Sequence, residues 1–294
     1  MCRTADLRRA VLAHNDDSAR ALRAALAARR TVAVNLLSSP GSGKTALLEG
    51  ELTLARQRGV PVAALTADLA TENDARRLAR SGAPVQQVLT DGLCHLEAVM
   101  LRGYLAGWLP QDTQVLFVEN VGNLVCPAAY DLGESLRVTL ASVTEGEDKP
   151  LKYPTAFGLA QLVLVTKVDI AEAVDFDEDV FLANVAQVNP GVEVVFTSAR
   201  SGLGAGVLLE RALAVRAGGQ AHRPVMAAAP PASVDAGDLA VDGVSDHVHH
   251  RHEVPHEHSP VPEPGHHHDH DPDRGPTRDL LGAGAHEHPA VDGP

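Results

Sequence analysis

Seven short apolar runs punctuate the first two thirds of the chain, at 31–37, 60–66, 85–89, 115–118, 136–143, 162–166 and 192–196. Stretches with helical periodicity lie between most of them, so strand and helix signals alternate. That alternation predicts an α/β domain with a mainly parallel sheet and helices on both faces. The first run is almost wholly apolar, as a strand covered on both faces should be. Ahead of it, 6–30 reads as a helix with Leu7, Val11, Leu22 and Leu26 on a partial apolar face. Its position points to packing on the outside of the domain or against a second subunit. Ligands of such sheets bind beyond the C-terminal ends of the strands. The chemically distinctive residues of this chain fall at those ends.

The first run leads into Leu37-Ser38-Ser39-Pro40-Gly41-Ser42-Gly43-Lys44-Thr45, and a helical pattern over 46–58 follows. Strand, glycine-bearing loop, helix is the layout of a phosphate-binding loop. Backbone N–H groups of Gly41, Ser42, Gly43, Lys44 and Thr45 can point into one concavity and surround a phosphate. The helix adds its positive N-terminal end. Lys44 supplies charge for β- and γ-phosphates, and the Thr45 hydroxyl is a ligand for Mg²⁺. The first glycine of G-x-x-x-x-G-K-[ST] is Ser38 here, so the match is to a relaxed form.

The later strand ends add to this. The second run is followed by Asp68, with Asp74 at a helix start. A carboxylate at Asp68 can hold Mg²⁺ through water or orient an attacking water; it serves equally as a helix cap or turn residue. The fourth run ends in Glu119-Asn120-Val121-Gly122-Asn123. Glu119 stands where a second carboxylate near Mg²⁺ belongs, and Gly122 can give a backbone N–H to a γ-phosphate, which makes this loop a candidate switch. An ordinary strand-to-loop turn is the plain alternative. The sixth run ends Thr166-Lys167-Val168-Asp169, similar to the guanine-specificity motif Asn-Lys-x-Asp with Thr in place of Asn. The Asp169 carboxylate can accept from guanine N1–H and N2–H₂, a pair of donors adenine lacks, while the Lys167 stem lies along the base. The seventh run ends Thr197-Ser198-Ala199-Arg200, like the last guanine-contacting loop of GTPases, where a backbone N–H meets O6. The order and spacing of these segments predict a Mg²⁺-dependent GTPase, with Lys44, Asp68 and Glu119 as its catalytic residues.

Two further segments carry soft donors. Cys94-His95 reads as the beginning of a helix, and Cys126 follows the Glu119–Gly122 loop by a few residues. Thiolate plus imidazole suits Zn²⁺ or Ni²⁺. Three ligands from one chain leave a four-coordinate site open, for a two-fold-related subunit to complete. The alternative is two buried free cysteines and a surface histidine. If the metal reading holds, a nucleotide-driven shift of the Glu119 loop moves a ligand.

Composition changes the picture mainly at the C-terminus. The chain has 294 residues and a net charge of −13, which argues against a nucleic-acid or anionic-membrane surface. From Arg216 onward there are 13 acidic and 5 basic residues, so −8 of that charge sits in the last part of the chain. Residues 217–294 hold 11 of the 19 prolines and 13 of the 15 histidines, with few large apolar side chains, so they are predicted to be disordered. Three cysteines form no disulfide framework, which points to the cytoplasm. The first nine residues are polar, with no apolar signal-peptide core, and no run reaches membrane-span length. The predicted organisation is an N-terminal helical segment (1–30), a GTPase domain (31–215) and a histidine-rich tail (216–294). In the tail, His249, His250 and His252, then His266, His267, His268 and His270, place several imidazoles within reach of one ion. Loose, reversible nickel or zinc sites are expected there; a solvated acidic tail with incidental histidines is the alternative.

With these segments assembled, the sequence resembles the hydrogenase nickel-incorporation GTPase family, HypB, of the SIMIBI class of P-loop proteins. The resemblance rests on the 39–45 loop, on Asp91-Gly92-Leu93-Cys94-His95-Leu96, on Glu119-Asn120-Val121-Gly122-Asn123-Leu124-Val125-Cys126-Pro127, and on Glu145-Gly146-Glu147-Asp148-Lys149-Pro150-Leu151-Lys152-Tyr153-Pro154. It implies a GTPase that forms a homodimer with nucleotide. It also implies delivery of nickel to the large-subunit precursor of a [NiFe]-hydrogenase, together with a partner zinc/nickel protein. By the same resemblance, Cys94, His95 and Cys126 bind Zn²⁺ or Ni²⁺, and Asp68 and Glu119 face Mg²⁺ and water. Three departures stand out. The N-terminal Cys-x-x-Cys-Gly-Cys site of many members is absent, since Cys2 is followed by Ala5 and Leu7. The histidine-rich stretch lies after the GTPase domain, and Thr166 replaces Asn. Rival readings are a nickel store acting through the tail, the related urease-accessory GTPase, and a small-molecule P-loop kinase. Cys94-His95 and the Cys126 segment speak against the urease-accessory GTPase, and Lys167 and Asp169 against the kinase.

Overall fold

The computed structural model describes residues 2–68, 73–90 and 92–227. His249, His250, His252, His266, His267, His268 and His270 lie outside the described residues, and with them the expected metal sites of the tail. Among the described residues seven strands form one sheet: β1 (Val32–Ser38), β2 (Val62–Asp68), β3 (Val85–Leu89), β4 (Val115–Glu119), β5 (Leu136–Ser142), β6 (Leu162–Thr166) and β7 (Val194–Phe196). Their order is β3-β2-β4-β1-β5-β6-β7. Every strand pair is parallel. Each predicted run therefore forms a strand, with ends shifted by up to two residues. β1, β4, β5 and β6 are buried along their whole length, which explains why apolar residues predominate in them and do not alternate with exposed polar ones.

Side chains alternate across the sheet. Val32, Val34 and Leu36 of β1 face Leu48 and Leu52 of α2 (Lys44–Gln57) and Leu208 and Leu209 of a helix at Val207–Arg216. Ala33, with Leu65 and Leu116, faces the other way, onto Leu22 and Leu26 of α1 (Cys2–Ala28) and Leu101 of a helix at Ala98–Leu105. A third cluster joins Val163 and Val165 of β6 to Phe157 and Phe181. Helices on both faces thus cover the sheet, as the period-two pattern requires.

Numbered in chain order, the helices after α2 are α3 (Asn73–Ala79), α4 (Ala98–Leu105), α5 (Lys149–Lys152), α6 (Pro154–Gly158), α7 (Glu178–Val188) and α8 (Val207–Arg216). Of the apolar face expected on α1, Leu22 and Leu26 are buried while Val11 is exposed. Burying two such leucines contributes about 3–6 kcal/mol before entropy is counted. Asn15 of α1 is buried and bonds both ways: its Nδ2 donates to Asp131 O (2.8 Å) and its Oδ1 accepts from Ala98 N (2.9 Å).

That second bond corrects one expectation. Cys94-His95 does not begin a helix; α4 starts at Ala98, and Glu97 before it is extended (φ −111°, ψ 152°). The N–H that needs a cap is Ala98's, and the cap comes from a helix 83 residues upstream. Nothing local in the sequence signals it. A similar long-range cap closes α8, whose first N–H groups, at Gly206, Leu208 and Leu209, donate to the buried Glu51 carboxylate of α2. Among the described residues no helix is long and apolar enough to cross a membrane.

Candidate functional site

At the C-terminal end of β1 the chain turns through a loop in which Gly41 (φ 72°) and Gly43 (φ 93°) both take left-handed backbone, a conformation that favours glycine. Gly43 is the residue before α2, and no side chain caps the helix there. Anions are favoured at such a helix end. Ser38, in the place of the usual first glycine, is fully buried. Its Oγ accepts from Lys44 Nζ (2.8 Å) and donates to Ser39 O (2.7 Å), so the serine holds the lysine in place.

Across this loop, Glu119 ends β4, which pairs with both β1 and β2. Its carboxylate accepts from Thr45 Oγ1 (2.6 Å) and Thr66 Oγ1 (3.2 Å). Burial pushes the Glu119 carboxyl above its usual range, while the Lys44 charge and these hydroxyls pull the other way. Hydroxyl and carboxylate oxygens side by side are the donor set of a hard cation, so Thr45 and Glu119 fit Mg²⁺. Asp68 closes β2; the role expected of its carboxylate falls outside what is described. A cleft of about 390 Å³ is lined by Pro40 through Ala46 and by Asp74, Arg77, Glu119, Asn120 and Gly122. It gathers Gly41, Ser42, Gly43, Lys44, Thr45, Glu119 and Gly122 around one space.

A second cleft, of about 430 Å³, shares Gly43, Ala46 and Arg77 with the first. Thr166, Lys167, Asp169, Thr197, Ala199 and Arg200 form its far wall. Lys167 takes left-handed backbone (φ 61°), and its stem passes over Gly43. For a non-glycine residue that conformation costs roughly 1 kcal/mol, a strain typical of ligand sites. Ser198 stands behind the wall and donates its hydroxyl to Asp169 Oδ1 (2.6 Å). The other carboxylate lone pairs remain for ligand donors. The two clefts together suit a phosphate chain at one end and a planar ring with paired N–H donors at the other.

The soft donors sit on the loops beyond β3 and β4. Cys94 Sγ lies 3.7 Å from His95 Nδ1. The Cys94 thiol is raised chiefly by a hydrogen bond shared with the Cys126 thiol, helped by burial. Cys94 thus touches both partners, although among the described residues no three His, Cys, Asp or Glu side chains are arranged to hold a metal ion. His95 is stacked on Tyr130 (ring centroids 4.0 Å apart), and its buried Nε2 has no hydrogen-bond partner. An imidazole beside the Cys94 thiol, with the Cys126 thiol hydrogen-bonded to Cys94 in turn, is a donor set that fits Zn²⁺ or Ni²⁺.

The sequence placed Cys126 a few residues after the Glu119 loop, but the side-chain contacts that join the two regions were not legible in it. Asn120 Oδ1 accepts from Leu96 N (3.4 Å), and Asn123 Nδ2 donates to Cys94 O (3.4 Å). The intervening Gly122 presses on the phosphate loop: a Cβ there would stand 3.0 Å from Pro40 Cα. Arg77, on the border of both clefts and held by Glu49 (2.7 Å), was also missed. So was Glu145, whose carboxyl lies below its usual range. Burial alone would raise it, and the hydrogen bonds from Lys149, Ser142 N, Ser39 and Ser42 outweigh that. The capping-box spacing of Ser142 and Glu145 could have found the last.

Comparison with known proteins fits this geometry. Residues 32–196 match the family model described as CobW/HypB/UreG, nucleotide-binding domain. The hydrogenase maturation factor HypB of Azotobacter vinelandii is 47% identical over 196 residues, 67% of this chain and 64% of that protein. That of Escherichia coli K12 is 47% identical over 194 residues, 66% of this chain and 67% of that protein. The chain thus spans about two thirds of the length of these relatives. Among solved structures, HypB from Archaeoglobus fulgidus matches with a TM-score of 0.64 and 35% identity, covering 70% of this chain and 100% of that one. HypB from Helicobacter pylori in complex with nickel matches with a TM-score of 0.64 and 34% identity, covering 71% and 99%. A parallel sheet with a glycine loop at β1, an acid at the end of β4 and this breadth of sequence identity mean that the chain belongs to the CobW/HypB/UreG family, on its HypB branch.

Proposed function

We propose that this protein is a GTP-hydrolysing nickel metallochaperone that acts in the maturation of a [NiFe]-hydrogenase. The observation that carries the reading is the path from Pro40 of the phosphate loop through Gly122 and Asn123 to Cys94. In this reading the Gly41–Thr45 backbone and Lys44 hold the phosphates, and Asp169, braced by Ser198, accepts from the guanine edge. Thr45, Asp68 and Glu119 hold Mg²⁺, which when bound neutralises charge building on the phosphate oxygens. The γ-phosphate draws in the Gly122 N–H, and closing that loop shifts Asn123 and Cys126. Nickel is the cargo, held by Cys94, His95 and Cys126 and released when the loop relaxes. A homodimer completes the metal site and faces the accessory protein and the hydrogenase precursor.

The test is nickel affinity by titration with GDP and with a non-hydrolysable GTP analogue. Wild type is expected to differ between the two states, and Cys126→Ala to lose the difference. Equal affinities in wild type would sink the coupling. A second reading, nickel storage, is favoured by the 13 histidines after residue 216. Under it, hydrogenase maturation survives loss of nucleotide binding; under the proposal it does not.

A further inference from the structure

The residue by which this chain departs from the guanine motif makes a bond that decides what the second cleft can read. Thr166 ends β6, is 5% exposed and lines the cleft wall. Its Oγ1 donates to Ser42 O in the phosphate loop at 2.6 Å, with Ala141 O a weaker acceptor at 3.4 Å. A hydroxyl carries a single proton, so Thr166 has no other donor to offer. An asparagine here would carry two N–H donors, one for the Ser42 carbonyl and one for a base. The neighbouring hydroxyl is committed as well: Thr197 Oγ1 donates to Val165 O (3.1 Å).

Guanine presents two faces of opposite character. Its N1–H and N2–H₂ edge donates, while N7 accepts. Asp169 is an acceptor and serves the first. The two threonine hydroxyl protons at the ends of β6 and β7 are spent on backbone carbonyls, so neither threonine offers a donor to the second. We propose that Thr166 is a specificity-determining residue that latches the base loop to the phosphate loop and leaves guanine N7 unread. The site then recognises guanine through Asp169 alone on that side and tolerates substitution at N7. This inference rests on the guanine-nucleotide reading of the cleft. The latch spans 124 residues of sequence and carries any movement of the phosphate loop into the base loop.

Calorimetric titration of the full-length protein with GDP, 7-deaza-GDP and ADP tests it. Wild type is expected to bind GDP and 7-deaza-GDP within about twofold, and ADP about 100-fold more weakly or worse. Thr166→Asn, with a spare N–H, should prefer GDP over 7-deaza-GDP by about 5- to 10-fold. Thr166→Ser keeps the hydroxyl and should reproduce the wild-type ratio. A loss of fivefold or more for 7-deaza-GDP on wild type would show that N7 is read and overturn the inference. Equal affinity for GDP and ADP would instead overturn the guanine reading beneath it.

Discussion

The phosphate-loop region and the thiol–imidazole region lie on neighbouring loops of one sheet, yet they are built in opposite ways. In the first, the side chains that frame the loop are held by partners inside the protein: Lys44 on Ser38, Thr45 and Thr66 on Glu119, Thr166 on Ser42. Its parts stand at strand ends and at the start of α2, so the backbone of regular elements fixes them. In the second, Cys94, His95 and Cys126 sit on irregular segments, and the buried His95 Nε2 makes no hydrogen bond, with Glu97 Oε1 standing 3.6 Å away. The difference teaches that groups set on regular elements are preorganised, whereas groups on irregular loops depend on their neighbours for position. Asn120, Gly122 and Asn123 are that dependence.

The sharpest way to separate the regions is Lys44→Ala. Loss of a buried, charge-assisted phosphate contact should lower nucleotide affinity by about 100-fold. Nickel affinity without nucleotide should stay within about twofold. A parallel fall in nickel affinity, measured on the same sample, would mean that the regions are not built independently. Gly122→Ala breaks the join instead. The added methyl meets Pro40 at 3.0 Å, too close for ordinary packing. Such a clash costs about 1–3 kcal/mol. Nucleotide affinity should drop by roughly 10-fold, and nickel affinity should stop responding to nucleotide. A variant that binds GDP as wild type does and keeps the nickel response would break the proposed path.

A smaller effect probes the support of the second region. Tyr130, the shelf under His95, is followed by Asp131, which pairs with Arg23 of α1 (2.6 Å). Burial alone would raise the Asp131 carboxyl, but the Arg23 guanidinium and the Gly133 N–H hold it below its usual range. A carboxyl lowered in the folded state adds stability above its ordinary value and loses it as pH falls through the folded one. Both side chains are more than a third exposed, so solvent screens the pair. Asp131→Asn should therefore cost about 0.5–1 kcal/mol at neutral pH. Urea denaturation at pH 7 and below pH of about 4 checks this. The gap should close in acid, and a gap unchanged there would remove the pair from the account.

Much of the first region could be read from the chain because its residues are neighbours in sequence. The Gly41–Thr45 loop needs only one strand, one turn and one helix, and Glu119 and Asp169 follow apolar runs whose ends announce themselves. Thr166, Lys167 and Asp169 of the guanine-like segment, read at a strand end, line the wall of a cleft. The helix expected at Cys94-His95 failed for the opposite reason: its start is set by Asn15 of α1, a bond across 83 residues. Arg77 was overlooked because an isolated arginine has no local signature of what it faces; Glu145 had its capping-box spacing with Ser142, but nothing local named Ser39 and Ser42 as its partners.

The sequence alone determined the order of strands along the chain, the loop that cradles a phosphate and the carboxylates that follow it. Periodicity and turn chemistry are local, and local rules need no partner. Tertiary structure decided which groups meet. It set β4 between β1 and β2, so that Glu119 reaches Thr45. It brought Thr166 onto Ser42, and it tied Asn123 to Cys94. Such contacts depend on which surfaces bury one another when the chain collapses, and hydrophobic burial carries no memory of distance along the sequence.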